Sequence, residues 1–227
     1  INGLVKLAGS NESLNAYLSN IDLIVHGTTI TTNAVITRNY AKTGYITTKG
    51  FRNLLNSRRG MKRSAFTAKE NPPEPIVPEY LVQTIAERVD KDGKIIVALN
   101  EGDVVKSAEF FRQHEVEAIA VNLMFSFKNP KHEVRVQEII EKHLPGVYLS
   151  LSHKVLPQVR MYERGSTTVF NACVGPLLKK YIDELQLRLQ KSGFTGKLLT
   201  MQSNGGVVPL ETARQRAANM FVSGPAA

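Results

Sequence analysis

Residues 21–50 read IDLIVHGTTITTNAVITRNYAKTGYITTKG, and the fold turns on how this stretch is parsed. IDLIVHG (21–27) is a short apolar run closed by glycine, the pattern of a buried strand. TTITTNAVITR (28–38) follows at once, with Thr28 and Thr29 placed to cap a helix. TGYITTKG (43–50) is rich in β-branched and aromatic residues, and Gly50 opens a turn. Strand, helix and strand within about thirty residues predict a βαβ unit with a parallel strand pair.

On the amino-terminal side, SNESLNAYLSN (10–20) predicts a helix capped by Ser10 with Glu12 in its first turn. On the carboxyl-terminal side, residues 56–80 change character. KENPPEPIVPEY carries four prolines, which exclude helix and central strand and predict an extended surface arm. LVQTIAERVD and KIIVALN flank Asp92-Gly93 and predict a hairpin. Residues 101–116 have helical spacing at Val104, Val105, Ala108 and Phe111. EAIAVNLMF (117–125) reads as a buried strand, 129–144 as a helix opened by Pro130, and VYLSLS (147–152) as another strand. The alternation predicts an α/β layer structure. Residues 158–192 are helical in pattern, with a break or kink expected at Gly175-Pro176, an apolar face of Leu178, Ile182, Leu185 and Leu189, and a stop at Gly193. KLLTMQSNGG and MFVSGPAA each read as a strand running into a turn.

Composition narrows the class. Hydrophobic residues make up 42% of the 227 and charged residues 22%, as in ordinary globular domains. Cys173 is the only cysteine, so no intramolecular disulfide forms. No stretch approaches the roughly 18 apolar residues of a membrane span, and the first residues do not resemble a signal peptide. A soluble, cytoplasmic protein is expected, and the absence of an initiator Met suggests a start that is cut or unresolved. The net charge of +9 is compatible with anionic nucleotides or an acidic partner subunit. The densest basic cluster, Arg58, Arg59, Lys62 and Arg63, has few aromatic neighbours, which argues against nucleic-acid binding.

Three stretches share one physical character: an apolar strand ends, small or hydroxyl residues follow, and a helix or turn begins. They are 25–33, 201–207 and 221–227. Unpaired backbone amides at such points, with glycine allowing close approach, suit an anion such as phosphate. Taken alone, each turn is also an ordinary structural feature, and neither a P-loop nor a spaced GxGxxG is present. His26 reads either as a proton-transfer group or as a hydrogen-bonded histidine at a strand end. Glu163 and Arg164 read as a structural ion pair, Glu133 as a helix-dipole residue, and Cys173 as buried filler. The histidines show no ligand-like spacing, so no metal site is expected from this chain alone.

In order, the motifs VHGTTITTNAVITR, TGYITTKGFRNLL, NLMFSFKNPKHE, VRMYERGSTTVFNACVGPLLKKYIDELQLRL, GKLLTMQSNGGVV and FVSGPAA resemble the hydantoinase A/5-oxoprolinase family, which includes the acetone carboxylase β-subunit. The resemblance runs from about Asp22 to Ala227. It implies a mixed sheet flanked by helices, part of an actin/sugar-kinase-like (ribonuclease H-like) ATPase fold, with 1–157 as the amino-terminal-type region and 158–227 as the start of the hydantoinase A-type region.

The same resemblance implies ATP and Mg²⁺, a small cyclic amide substrate (hydantoin, N-methylhydantoin or 5-oxoproline), and activation of a carbonyl by phosphorylation. It also implies a hydantoinase B-type second subunit or a homo-oligomer. An ATP-dependent ketone carboxylase subunit and a non-catalytic assembly module are the alternatives. Family members carry acidic glycine-rich hairpins, D-x-G-G-T-x-T-D and D-x-G-G-T-S, expected before Ile1 and after Ala227, so the 227 residues alone are not expected to hydrolyse ATP efficiently. On this reading Gly27, Ser203, Asn204, Gly205, Gly206, Ser223 and Gly224 bind nucleotide or phosphate. His26, Thr28, Thr29 and Arg58 act in catalysis, His26 by proton transfer and Arg58 by anion binding.

Overall fold

A computed structural model describes residues 13–60, 74–221 and 223. The helices are α1 (Leu14–Ser19), α2 (Ile30–Ile36), α3 (Leu54–Ser57), α4 (Glu101–Gln113), α5 (Lys131–His143), α6 (Ser152–Val155), α7 (Met161–Lys191) and α8 (Leu210–Gln215). The strands are β1 (Leu23–His26), β2 (Thr43–Thr48), β3 (Val82–Ile85), β4 (Arg88–Val89), β5 (Ile95–Val97), β6 (Ala118–Asn122), β7 (Tyr148–Leu151), β8 (Lys197–Met201) and β9 (Val207–Pro209). The chain forms a mixed α/β structure in two compact units, one of residues 41–173 and the other of residues 1–40 with 174–227. The segments 1–157 and 158–227, a division along the sequence, each contribute to both units.

Residues 41–173 are built on a parallel sheet in the order β3-β2-β6-β7. Every residue of β2 and β6 is buried, which fits their β-branched and small side chains between two covered faces. Tyr45, Ile46, Ile119 and Val121 join Val104, Phe111, Val136 and Ile140 from α4 and α5 in one core. Asn100 caps α4 by accepting from the Asp103 amide at 3.3 Å. LVQTIAERVD does not form a single strand. Its first half is β3, paired with β2, and only Arg88–Val89 enters the β4-β5 hairpin. The Asp90 carboxylate closes that hairpin, accepting from the Asp92 and Lys94 amides. Most of the expected arm lies outside the described residues, but near its end Val77 packs inward and is buried.

Residues 13–40 and 174–223 hold the sheet β1-β8-β9, with β1 and β8 parallel and β8 and β9 antiparallel. The expected β1-β2 pair does not form: β1 lies beside β8, while β2 takes β3 and β6 as neighbours. The intervening α2 has seven residues, and beyond it the chain enters the other unit. The same arrangement leaves β1 less covered than its sequence suggests, with Leu23 50% and Val25 43% exposed. Ser13 caps α1, accepting from the Ala16 amide, whereas Ser10 and Glu12 lie outside the described residues.

The expected break at Gly175-Pro176 is absent, and α7 runs unbroken for 31 residues. A mid-helix proline costs about 3 kcal/mol. Here Ala172, Cys173, Val174 and Leu178 are all almost fully buried around it, and that packing offsets the cost. Gly193 ends the run with φ +94°. The strand expected at MFVS (220–223) is not formed by its described residues, of which Met220 closes a 3-10 turn over Ala217–Met220.

Candidate functional site

The parallel strands β1 and β8 end side by side, with His26 in register with Thr200. The chain beyond each strand end is tied to a third segment, 217–223. Thr31 donates its hydroxyl to the Met220 carbonyl at 3.1 Å, and Ser223 donates to the Thr28 carbonyl at 2.8 Å. Ser203 donates its amide to the Asn219 carbonyl at 2.8 Å, and its hydroxyl to the Asn219 and Phe221 carbonyls. The three stretches picked out in the sequence therefore meet at one place, the carboxyl end of a parallel strand pair, where α/β sheets collect ligands. Gly224 lies outside the described residues.

Their donors are not equally available. The 202–206 turn satisfies itself: Gly205 donates to the Gln202 carbonyl at 3.0 Å, Gln202 to the Gly206 carbonyl at 2.7 Å, and Gly206 to the Asn204 side chain at 2.9 Å. Gly205 is needed there because its φ is +80°. The hydroxyls of Ser203 and Ser223 are spent on carbonyls. Phosphate-binding donors expected from Ser203, Gly205, Gly206 and Ser223 are therefore already engaged, because a tight turn closes on its own polar groups.

The 27–29 turn differs. Thr29 holds the N-cap position of α2, yet its side chain does not cap the helix. Its hydroxyl takes only a 3.4 Å contact from Asn33. Among the described residues the Thr28 and Thr29 amides donate to nothing. Thr28 Oγ1 accepts from the Ile30 amide at 3.3 Å.

His26 is half-buried, and its Nε2 lies 2.7 Å from the Tyr181 hydroxyl on α7. The two rings also lie close, tilted by 30° with centroids 5.7 Å apart. Burial holds the imidazole pKa below its ordinary 6.5, favouring the neutral form at neutral pH. Tyr181 carried no signal in the sequence, being one polar residue on an otherwise regular helix. This end of the sheet thus combines two open amides, a hydroxyl and a neutral imidazole, which suit phosphate oxygens. The turns 26–29 and 203–206 offer no carboxylate, and among the described residues no cluster of acidic, His or Cys side chains could hold a metal.

Arg58 belongs to the other unit. It follows α3 with φ 50° and ψ −124° and lines a cavity of about 450 Å³. Glu163 pairs with Arg59, and the expected Glu163-Arg164 pair does not form. Arg164 is buried instead. It donates to Asn122 at 2.9 Å, Ser152 at 3.1 Å, and the carbonyls of Leu123 at 2.7 Å and Gln158 at 3.0 Å.

Beside Arg164, the fully buried Glu133 accepts from the Leu123 amide at 2.9 Å, Ser152 Oγ at 2.6 Å and the His153 amide at 3.0 Å, and lies 2.6 Å from His153 Nδ1. Burial pushes its pKa up, but these hydrogen bonds outweigh that and hold it below 4.5. Glu87 joins His132, at 2.8 Å, and Thr48. This polar centre collects at the carboxyl ends of β2, β6 and β7. Helix position alone explained Glu133 in the sequence, and nothing there announced its burial.

Burial pushes the Cys173 thiol up to about 12. No helix among the described residues is long and apolar enough to cross a membrane.

Residues 1–144 match the hydantoinase/oxoprolinase N-terminal region, and residues 164–227 match hydantoinase/oxoprolinase. Caprolactamase subunit alpha of Pseudomonas jessenii is 34% identical over 228 residues, covering 99% of this chain and 33% of that protein. The acetophenone carboxylase gamma subunit of Aromatoleum aromaticum is 29% identical over 228 residues, covering 95% of this chain and 31% of that protein. The crystal structure of the ATP-dependent caprolactamase from Pseudomonas jessenii matches with a TM-score of 0.90 at 33% identity, over 99% of this chain and 33% of that one. The chain thus spans about a third of the length of these relatives.

Proposed function

The chain belongs to the hydantoinase/oxoprolinase family, and on that premise we propose that it is part of an ATP-dependent enzyme that opens a cyclic amide. The observation that carries this reading is the pair of open amides at Thr28 and Thr29, set beside a neutral His26 at the carboxyl end of β1 and β8. The likeness to an ATP-dependent caprolactamase supports it, and an actin/sugar-kinase-like ATPase fold is part of the same reading.

The unreactive amide carbonyl needs a better leaving group. Transfer of the γ-phosphoryl group of ATP to the amide oxygen, with release of ADP, supplies one. Water then adds to the carbon, the C–N bond breaks as the ring nitrogen takes a proton, and the acyl phosphate so formed is hydrolysed by a second water to carboxylate and phosphate. The Thr28 and Thr29 amides hold phosphate oxygens in place, so that binding is converted into positioning. The Thr29 hydroxyl adds a third donor. His26, kept neutral by burial and oriented by Tyr181, accepts a proton from the attacking water.

Gly27 lets the phosphate approach the turn. Asn204, Gly205 and Gly206 shape the neighbouring wall, and Ser203 and Ser223 brace it. Arg58 binds an anionic group. Mg²⁺ accompanies the nucleotide, with carboxylate ligands supplied by parts of the protein beyond this chain. The protein works with a second subunit in the cytoplasm.

Phosphate release by the full-length protein tests the reading, with caprolactam, 5-oxoproline and hydantoin each offered against ketone plus bicarbonate. Release stimulated by a cyclic amide and not by a ketone is expected. Stimulation by ketone and bicarbonate alone would instead assign the chain to a carboxylase, the reading favoured by its 29% identity with the acetophenone carboxylase gamma subunit.

A further inference from the structure

We propose that the cavity lined by α3, residues 74–79 and the first turns of α7 binds a small linear amino acid, an ammonium and a carboxylate joined by a short hydrocarbon chain. The cavity of about 450 Å³ lies wholly within residues 41–173. Its volume falls in the roughly 300–1,000 Å³ range of small-molecule pockets. Leu55, Ile76, Val77 and Val169 give it apolar walls.

Two residues of opposite charge line this space, Arg58 and Glu79. Among the described residues neither side chain makes an ion pair or hydrogen bond, with each other or with anything else. Glu74, which has contacts of its own, adds a second carboxylate to the lining. Unpaired residues of opposite sign around one largely apolar cavity are matched by a ligand that carries both signs. A simple carboxylate would meet Arg58 but also face Glu79, and a simple amine would have the reverse fault. An uncharged hydrocarbon would leave both groups unsatisfied against its surface.

The backbone adds an independent sign. Arg58 is held at φ 50°, a conformation that costs a non-glycine residue about 1–3 kcal/mol and clusters at ligand sites. The ligand's chemistry also matches the function proposed above, on which its identification rests: hydrolysis of a cyclic amide breaks one C–N bond and leaves an amine and a carboxylate on a single chain.

Isothermal titration of the full-length protein without nucleotide tests the proposal, using 6-aminohexanoate, hexanoate and hexylamine as probes. Saturable binding of 6-aminohexanoate is expected, with both single-ended probes at least about tenfold weaker. Arg58→Met and Glu79→Gln should each weaken 6-aminohexanoate about tenfold or more, with unchanged circular dichroism. Equal binding of all three probes would overturn the proposal. So would wild-type affinity in both variants, or the absence of saturable heat up to about 10 mM ligand. Separate measurement of amide-stimulated phosphate release keeps the two readings apart. Binding without turnover counts against the proposed function alone, and turnover without binding counts against this pocket alone.

Discussion

Glu133→Gln keeps the shape of a fully buried side chain and removes its charge, so it isolates what the polar centre contributes. The carboxylate receives hydrogen bonds on both oxygens: from Leu123 N and Ser152 Oγ on one, and from the His153 amide, with His153 Nδ1 alongside, on the other. An amide replaces one of those oxygens with an NH₂ group. Whichever oxygen is lost, one backbone amide and one side-chain group face donors in place of an acceptor. The side-chain partner can adjust, Ser152 by rotating its hydroxyl and His153 by changing tautomer. The backbone amide cannot.

Hydrogen bonds to charged groups contribute about 1.5–3 kcal/mol each, and a stranded buried donor costs a similar amount. With one bond fully lost and its neighbour weakened, the local cost is about 3 kcal/mol. Hydrogen exchange of the full-length protein reads this directly, since 1.36 kcal/mol is a factor of ten. Peptides covering β6 and β7 should exchange about a hundredfold faster in the variant, while peptides covering β8 should not change. Protection of β6 and β7 within about threefold of wild type would refute the argument, because it would mean that the carboxylate charge is dispensable there. The pH dependence follows in sign. The folded pKa of Glu133 lies below 4.5, so its contribution is present above 4.5 and is lost as pH falls toward the folded value. Glu133→Gln should lack that acid-dependent loss.

Thr29→Ala removes a phosphate donor that braces little else, and should lower amide-stimulated phosphate release about tenfold or more with melting behaviour unchanged. Wild-type turnover would exclude the hydroxyl. His26 should titrate below 6.5 when followed by NMR in selectively labelled protein. Because its folded pKa is depressed, the unfolded chain binds the proton more tightly, so its contribution is complete above 6.5 and declines as pH falls below it. Gly165→Ala would place a Cβ 2.6 Å from Asn122 Nδ2 and 2.9 Å from the Tyr45 hydroxyl, and should destabilise residues 41–173 by about 1–3 kcal/mol, seen as faster exchange in β6. Cys173, buried with its thiol near 12, should resist alkylation at pH 7.5 until the protein is unfolded.

The sequence displayed elements more readily than partners. TGYITT and AIAVN announced strands because both faces of β2 and β6 are covered, which leaves a continuous β-branched signal. IDLIVHG looked equally buried, yet β1 keeps Leu23 and Val25 exposed, since an apolar run states a preference and not which neighbours supply the cover. Adjacent strands with a short linker favoured a β1-β2 pair. The actual partner of β1 is β8, more than 170 residues onward by the register of Leu23 with Lys197. Proximity in sequence carries no record of such a return.

Pro176 was read by its local cost, which the burial of Ala172, Val174 and Leu178 overrides. The candidate site was legible as three turns of one character, and the fold does bring 26–31, 203–206 and 217–223 together. Which turn keeps its amides open was not legible, because that depends on contacts such as Asn204 to Gly206 and Ser223 to Thr28. Tyr181, Arg164 and Glu133 share this cause, since their roles come from residues distant in sequence that meet only in the folded chain.

The open turn at Thr28 and Thr29 is the point on which the enzymatic account stands. A crystal structure of the full-length protein with a non-hydrolysable ATP analogue examines it without reference to substrate. Phosphate oxygens within about 3 Å of the Thr28 and Thr29 backbone nitrogens are predicted. Nucleotide phosphates bound elsewhere, with both amides still facing water, would contradict it.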